Sequence, residues 1–375
     1  GRTNIHETFC HWPFRLFIGF GFLWLVFLIV RLSMENVDAL FEWRFASYQF
    51  LIFMPFLATL IVKYKASEQL VWRILVLASL SCALLLGLVI ESGQFSRGQG
   101  WLFDKINRGN MGMLFGIIAL LSVFAIKGRG WKVLAVMGFL SGVGFSFLSG
   151  SRGGWLALFI AFITLAVVFY RYRRWSNLKI LFVIGLVGAV ALAITWQYLP
   201  VEDRLIQTWV NLERYLEGEY HSSIGYRLQL WTASLYAFWE EPWFGWGWDH
   251  FNPAYTWAIE SGYVGPSPLF GHPHNQYLLF LVETGFVGLG FFLLFFLFPA
   301  YYALKRIRQT RHFDSSLYFA LLILVVTEAL LEFMLSDDPL SKKNFVIVFL
   351  VLILLGLKFL SQSHSHSIND TTSRR

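Results

Sequence analysis

Ten apolar stretches run along this chain of 375 residues, and they constrain its fold more than any other feature. Each is about 16–24 residues long, and a helix of about 20 apolar residues spans the hydrocarbon core of a bilayer. With 57% hydrophobic and 19% aromatic residues, the composition excludes an ordinary soluble domain. The predicted transmembrane helices are 13–31, 47–62, 74–90, 111–126, 132–149, 154–170, 179–196, 276–299, 316–335 and 344–360.

Basic residues are concentrated in alternate loops between these stretches. Segments 63–73, 127–132, 171–179 and 305–311 carry clustered Lys and Arg residues, whereas the loops between them are richer in acidic residues. The positive-inside rule assigns the basic loops to the cytoplasm. Both termini are then inside, and the long polar segment 197–275 is outside. The net charge of +7 therefore follows membrane topology and does not indicate a nucleic-acid partner.

The pattern predicts an all-α polytopic membrane protein with four regions, surrounded by membrane lipids. Residues 1–196 form an N-terminal bundle of about seven spans, and residues 276–360 supply about three more. Between them lies the external segment 197–275. The tail 361–375 is polar, lacks apolar periodicity and is predicted to be disordered.

The external segment is predicted to contain two amphipathic helices. Apolar residues recur at spacings of three and four within 205–216 and again within 228–238, which is the pattern of one helix face. Ser222 and Ser223 precede the second helix and are candidate N-caps. Eight of the 16 Trp residues lie between residues 196 and 257. Because Trp prefers the membrane–water interface, we expect these helices to lie on the outer leaflet.

Two external arginines stand where positive charge is unfavourable. Arg152, in Ser151-Arg152-Gly153-Gly154, and Arg227 both lie at the start of a predicted helix, whose dipole disfavours a cation. Arg152 is either a snorkelling side chain or part of an anion site with nearby Gly amides. Arg227 is either a solvated residue paired with Glu217 or Glu219 or a second ligand of the same anion. Two arginines could hold a pyrophosphate by forked hydrogen bonds.

The run His272-Pro273-His274-Asn275 directly precedes a predicted span. An imidazole can take or give a proton near neutral pH, so both histidines are candidate acid–base groups. The alternative is a pair of ordinary loop histidines, with Asn275 capping the following helix. A metal is not predicted, because no third His, Cys or carboxylate stands at zinc-site spacing, and Cys10 and Cys82 show none either.

Charged residues elsewhere supply weaker candidates. Glu328 and Glu332 lie four residues apart within a predicted span, where carboxylates are costly and usually face a polar interior. They either pair with a base such as Arg152 or help to bind an acceptor. Arg97 and Arg108 lie in another predicted external loop and could add to an anion site.

Short motifs follow one another between residues 151 and 288. They are Ser-Arg-Gly-Gly (151–154), Arg-x-x-x-Trp (227–231), Pro-x-x-Gly-x-Gly (242–247), His-Asn-x-x-Leu (274–278) and Glu-x-Gly-x-x-Gly (283–288). In this order, and on one predicted side of the membrane, they resemble the O-antigen ligase and polymerase superfamily of bacterial envelope glycan enzymes.

The resemblance implies a metal-independent glycosyltransferase without a cofactor, in a GT-C-like membrane fold of about 10–12 spans. Such enzymes use glycans carried on undecaprenyl diphosphate at the periplasmic face of the bacterial inner membrane. By resemblance, Arg152 and Arg227 bind the diphosphate and His274 is the catalytic base. The further substrate-binding residues are then Ser151, His272, Asn275, Arg97, Arg108 and Glu328.

Several activities remain open within and beyond this superfamily. The compact external segment and modest length favour a ligase that transfers the glycan to lipid A–core over a polymerase that extends another lipid-linked repeat. The sequence favours a protein-glycosylating enzyme less, because such relatives are often longer and have an extra C-terminal domain. A transporter of lipid-linked sugars is the alternative from another class. A transporter is expected to have its binding site near the middle of the membrane and often to contain internal repeats, whereas the candidate groups here cluster on one side.

Overall fold

The computed structural model describes residues 12–35, 48–91, 105–149, 153–195 and 201–372, and their regular secondary structure is helical, without a strand. Two short 3₁₀ turns, Gln49–Phe53 and Pro339–Ser341, accompany the α-helices. The α-helices of the described residues are α1 Trp12–Glu35, α2 Met54–Lys63, α3 Glu68–Glu91, α4 Lys105–Ala125, α5 Arg129–Leu148, α6 Trp155–Arg171, α7 Trp175–Thr195, α8 Val201–Leu216, α9 Ser223–Glu240, α10 Phe251–Glu260, α11 Gln276–Gln309, α12 Ser316–Phe333 and α13 Lys343–Thr372.

Six of the described helices, α1, α4, α5, α11, α12 and α13, are long and apolar enough to cross a membrane. They coincide with six of the predicted spans and confirm an all-α polytopic membrane protein. Three further predicted spans correspond to shorter apolar helices, Phe50–Lys63, Trp155–Arg171 and Trp175–Val190. The tenth predicted span lies within α3, so the number of crossings stays a prediction.

Helix α12 lies at the centre of the bundle and packs against α4, α6, α11 and α13. Its side chains are buried on almost every face, which a helix that is apolar all round permits. Close packing elsewhere depends on small residues. Gly112 and Gly116 of α4 face Gly142 of α5, where an added Cβ would meet the Gly116 Cα at 2.8 Å. Because apolar burial drives little association within lipid, such close backbone contact stabilises helix pairs.

The segment that is predicted to be external contains two helices in its first half. Helices α8 and α9 cover the two predicted amphipathic stretches, and Ser222 caps α9 by accepting a hydrogen bond from the Gly225 N–H at 3.0 Å. A small hydrophobic core joins α9 and α10 to Leu279 and Val282 in the first turns of α11. The external helices therefore rest on the end of a membrane-spanning helix.

A break in α11 holds this external segment in place. Gly285 has φ +61° and ψ −165°, which interrupts the helical ladder. The turn 242–247 fills the break. The N–H of Trp246 donates to the Val282 carbonyl at 2.8 Å, and the N–H of Phe286 donates to the Pro242 carbonyl at 2.8 Å. A Cβ on Gly285 would overlap the Trp243 backbone. The motifs Pro-x-x-Gly-x-Gly (242–247) and Glu-x-Gly-x-x-Gly (283–288) therefore contact each other through their backbones.

Helix α13 continues to Thr372, into the segment 361–375 that the sequence predicts to be disordered. Residues 361–372 contain neither Gly nor Pro to end the helix that precedes them.

Candidate functional site

Two chain segments converge at one end of the bundle. The first is 272–276, where α11 begins, and the second is 334–342, between α12 and α13. The N–H of Gln276 donates to the Met334 carbonyl at 2.8 Å, and the Gln276 Oε1 accepts from the Leu340 N–H at 3.1 Å. Gln276 is fully buried. This double contact fixes the position of one segment against the other.

The backbone of His274 adopts a left-handed conformation, with φ +52°. His tolerates this region better than most residues, but it still costs about 1 kcal/mol or more. Hydrogen bonds on both sides hold it there. Before it, the Trp231 indole N–H donates to the Pro273 carbonyl at 3.0 Å. After it, the Asn275 Oδ1 accepts from the N–H groups of Tyr277 and Leu278 at 3.0 and 3.1 Å. Asn275 therefore has the predicted capping role.

Each histidine faces an aspartate of the second segment. The Nδ1 of His274 lies 3.6 Å from the Asp337 Oδ1, and the Nδ1 of His272 lies 3.7 Å from the Asp338 Oδ1. Asp337 is 4% exposed and His274 is 28% exposed at their side chains, so the carboxylate lies behind an accessible imidazole. A carboxylate on the Nδ1 side favours the tautomer with the proton on Nδ1, which leaves the Nε2 lone pair free to accept a proton.

Two cations lie beside the aspartates. The Lys342 Nζ is 3.7 Å from the Asp338 Oδ1. Arg227 is half-buried, and burial lowers the pKa of its guanidinium while the charge of Asp337 opposes that shift. The charge of Asp337 therefore acts on Arg227, an interaction that the sequence did not predict. The site combines imidazole, carboxylate and guanidinium groups at one end of the bundle.

The start of α6 packs against the second segment. A Cβ on Gly153 would overlap the Ser336 hydroxyl, and a Cβ on Gly154 would lie 3.3 Å from the Asn110 Oδ1. Only glycines allow the chain after residue 152 to come so close to Ser336, the neighbour of Asp337. Arg152 and Ser151 lie outside the described residues, as does Arg97, so their predicted roles stay predictions.

Buried polar groups of α4 lie next to these glycines. Asn110 is fully buried, and neither of its side-chain polar atoms has a hydrogen-bond partner among the described residues. The Nε of Arg108, two residues earlier, is likewise buried and lacks a partner in the described part of the chain. Since an unsatisfied buried polar group is costly, the two side chains have capacity left for a polar ligand.

The two carboxylates of α12 lie below the site. Both oxygens of Glu328 accept from the Thr164 hydroxyl at 2.9 Å, so its partner is a hydroxyl rather than the predicted base. Glu332 is buried one turn closer to Asp337, and its Oε2 has no hydrogen-bond partner within the described segments. Glu332 is therefore nearer to the site than Glu328.

The ligand atoms of His272, His274 and Asp337 lie within 4.8 Å of one another, close enough to hold a metal ion. Sequence spacing showed no third ligand because Asp337 is 63 residues beyond His274. The charge of Asp337, the carboxylate of this set, also acts on Arg227, and the neighbouring Asp338 lies 3.7 Å from the Lys342 Nζ.

Sequence reasoning placed Asp337 and Asp338 in a predicted external loop but assigned neither of them, nor Lys342, to the site. The available signal was the pair Asp337-Asp338 followed by Pro339, between two predicted spans on the external side. A carboxylate pair is common in loops, so the pattern alone did not identify partners for the histidines.

The fold and site define a class, that of polytopic helical membrane proteins with an acid–base and cation site at one end of the bundle. Residues 137–293 match the profile of a family described as O-antigen ligase. The matched region contains Arg227, His272 and His274, together with the Gly245–Gly285 contact. The family is one of membrane glycosyltransferase-like enzymes with ligase- or polymerase-type activity.

The chain is also similar to a protein of Haemophilus influenzae (strain ATCC 51907 / DSM 11121 / KW20 / Rd), described as uncharacterized. The two are 28% identical over 299 residues, which cover 77% of this chain and 72% of the relative. The similarity extends beyond the family domain but adds no activity.

Proposed function

We propose that the protein is an O-antigen ligase, which transfers a glycan from undecaprenyl diphosphate to a hydroxyl of lipid A–core at the periplasmic face of the inner membrane. The observation that carries this proposal is the arrangement of His274 between buried Asp337 and the surface, with Arg227 close enough for the charge of the same carboxylate to act on it. The arrangement occurs at the end of a membrane bundle, and its His274 and Arg227 lie within the region that matches the O-antigen ligase family.

His274 acts as the base in this mechanism. As the acceptor oxygen bonds to the anomeric carbon, its proton passes to the His274 Nε2, and Asp337 stabilises the imidazolium that forms. The bond from the anomeric carbon to the phosphate oxygen breaks, and undecaprenyl diphosphate leaves with the electron pair. Attack from the opposite face inverts the anomeric configuration. An unchanged anomer in the product would contradict this geometry.

Arginines stabilise the leaving group. The phosphate oxygen that was bonded to the anomeric carbon gains negative charge as that bond breaks. A preorganised guanidinium stabilises such a transition state by about 2–4 kcal/mol. Arg227 is half-buried within electrostatic reach of Asp337, and it is proposed to contact that charge. Arg152 is proposed as its partner, because the following Gly153 packs against Ser336. Ser151, Arg97 and Arg108 are proposed to bind further polar groups of the substrates.

The histidine–aspartate segment also positions the reaction. The Nδ1 of His272 accepts a hydrogen bond from the His274 N–H at 3.2 Å and lies 3.7 Å from the Asp338 Oδ1. His272 supports the backbone of the base and contacts substrate in this proposal. Asn275 caps α11 next to His274, and it is proposed to bind substrate from that position. Glu328 is proposed to act only from a distance, since its oxygens are held by Thr164.

The test is the lipopolysaccharide pattern of a ligase-deficient strain. Wild-type protein is expected to restore the O-antigen ladder, and His274→Ala is expected to restore none at equal membrane abundance. His312→Ala, at an exposed histidine near the other end of the bundle, is the matched control and is expected to behave as wild type.

Other outcomes of this experiment would change the assignment. Full activity of His274→Ala would show that His274 is not the catalytic base. A ladder restored only in a polymerase-deficient strain would make the protein a polymerase, which uses the same donor and a second lipid-linked repeat as acceptor.

A further inference from the structure

A second polar site lies at the opposite end of the bundle from His274. A cavity of about 500 Å³ opens between the start of α3, the α4–α5 and α6–α7 connections and the start of α12. Helix α12 runs 18 residues from this cavity towards the segment that carries Asp337. At 1.5 Å per residue, the two sites are about 27 Å apart. The cavity is therefore not part of the candidate transfer site.

Three cations line this cavity, namely Lys127, Lys132 and Arg174. No carboxylate among the described residues lies within ion-pair distance of any of them. Arg174 is oriented by the Phe313 ring, whose centre is 5.4 Å from the guanidinium carbon. The three positive charges are thus available to an anionic ligand.

The two carboxylates that line the cavity, Asp314 and Glu68, accept hydrogen bonds from residues at the start of α12. Asp314 accepts hydrogen bonds from the N–H and hydroxyl of Ser316 at 2.9 and 2.5 Å. Glu68 accepts from the Ser315 hydroxyl at 3.2 Å. Three cations against two carboxylates leave a surplus of one positive charge, and the carboxylates are directed to local donors. The cavity therefore favours an anion.

Apolar stripes lead away from the cavity along the outside of the bundle. Helices α3 and α5, which both border the cavity, pack against each other. Each exposes large apolar side chains at spacings of four and three residues, and one such stripe per helix is the pattern of a lipid-facing surface. These side chains are Leu70, Ile74 and Leu77 on α3, and Val133, Met137 and Leu140 on α5.

We propose that this cavity binds the phosphate headgroup of an anionic phospholipid, whose acyl chains lie along the stripes of α3 and α5. A phosphate and an acyl chain are the two chemical features that the cations and the apolar surface would recognise. The predicted topology places the cavity at the cytoplasmic leaflet, and basic pockets between helices on that side recognise anionic headgroups. Neither the site nor its ligand takes part in the proposed transfer reaction.

The experiment is native mass spectrometry of the full chain purified in detergent, with phosphatidylglycerol or phosphatidylcholine added. Wild type is expected to retain phosphatidylglycerol in preference to phosphatidylcholine. Lys132→Gln is expected to weaken that retention about fivefold, the typical effect of one cation near an anionic lipid. The triple variant Lys127→Gln/Lys132→Gln/Arg174→Gln should lose the preference.

The matched control is Lys63→Gln/Lys65→Gln/Lys179→Gln, which removes three exposed cations from the same predicted side but outside the cavity. It should retain phosphatidylglycerol as wild type does. Equal losses in both triple variants would show a general charge effect and overturn the site. Added inorganic phosphate provides the second arm. If it binds with the same dependence on the three cations while phosphatidylglycerol does not, the ligand is a free phosphate and the lipid proposal is wrong.

Discussion

At the scale of residues, the candidate site depends on side chains that are ordinary in sequence and specific in position. His274 is held in a left-handed backbone conformation between a capped helix and an indole hydrogen bond. Asp337 is buried behind it at 3.6 Å. A strained and over-determined residue of this kind is typical of functional sites. The cost of the conformation is offset by the hydrogen bonds of the neighbouring residues.

Replacing Asp337 with Asn tests whether the carboxylate orients and stabilises the base. We expect Asp337→Asn to lower the transfer rate by about 10²–10⁴-fold, since loss of the carboxylate in a comparable His–Asp pair has an effect of this size. The measurement is the turnover of lipid-linked donor by purified protein in detergent. Because the two residues act as a unit, the His274→Ala/Asp337→Asn double variant should be no slower than His274→Ala. Additive losses would show that Asp337 acts independently of the base.

Arg227 tests whether a forked donor is required. Arg227→Ala is expected to lower kcat by about 10²–10³-fold, as the loss of a fixed transition-state donor does. Arg227→Lys keeps the charge but loses the planar geometry, and it should recover only part of that loss. Steady-state kinetics with varied donor concentration separate kcat from KM. A change in KM alone would assign Arg227 to donor binding and remove it from stabilisation of the leaving group.

At the scale of elements, the break in α11 explains why two separate glycine motifs occur. Gly245 and Gly285 have φ values of +72° and +61°, and each approaches the backbone of the other's segment. The guanidinium of Arg31 in α1 adds a third element, since its Nη2 donates to the Gly245 carbonyl at 2.7 Å. Exposed backbone groups at a helix break within a membrane protein must find partners, and the turn 242–247 supplies them.

Substitution of either glycine should therefore destabilise the protein. Gly285→Ala adds a Cβ that overlaps the Trp243 backbone at a positive φ, and we expect a loss of about 1–3 kcal/mol. Gly290→Ala, in the same helix with nothing near its added Cβ, is the matched control and should be neutral or slightly stabilising. Thermal unfolding in detergent measures both. Equal melting temperatures for the two variants would mean that the break is not under the steric constraint described.

At the scale of the whole molecule, the bundle separates two chemistries at opposite ends. His272, His274, Asp337 and Arg227 lie at one end of α11 and α12, and the basic cavity lies at the other. The positive-inside rule predicts that the basic end faces the cytoplasm. This orientation puts the proposed transfer at the periplasmic face, where an O-antigen ligase requires it.

Cysteine labelling tests this orientation in intact cells. In a background without Cys10 and Cys82, Glu217→Cys is expected to react with a membrane-impermeant maleimide once the outer membrane is permeabilised. Lys179→Cys, on the basic side, should react only after the inner membrane is opened. Both positions are exposed in the structure, so accessibility within the protein is matched. Reversed labelling would place the candidate site in the cytoplasm and contradict the proposed reaction.

Much of the fold and part of the site were predictable from the sequence, for reasons that differ between residues. Apolar length and periodicity are local properties, so the helical membrane class, the external helices and the cap at Asn275 followed directly. The side-chain contacts at the end of the bundle that carries His274, in contrast, join residues that lie far apart in the sequence. Glu328 was predicted either to pair with a base or to help bind an acceptor, and the fold places its carboxylate against Thr164, on α6. Arg227 was predicted to be solvated or anion-binding, and the fold places it near Asp337.

The sequence by itself determined that this is a helical membrane protein whose residues 137–293 match the O-antigen ligase family, because hydropathy, charge alternation and glycine motifs are properties of short segments. Only the tertiary structure decided that Asp337 lies behind His274 and that the turn 242–247 fills the break at Gly285. Such contacts join residues far apart in the chain. They depend on how α11 and α12 pack, and that packing is the sum of many weak contacts that no single segment encodes.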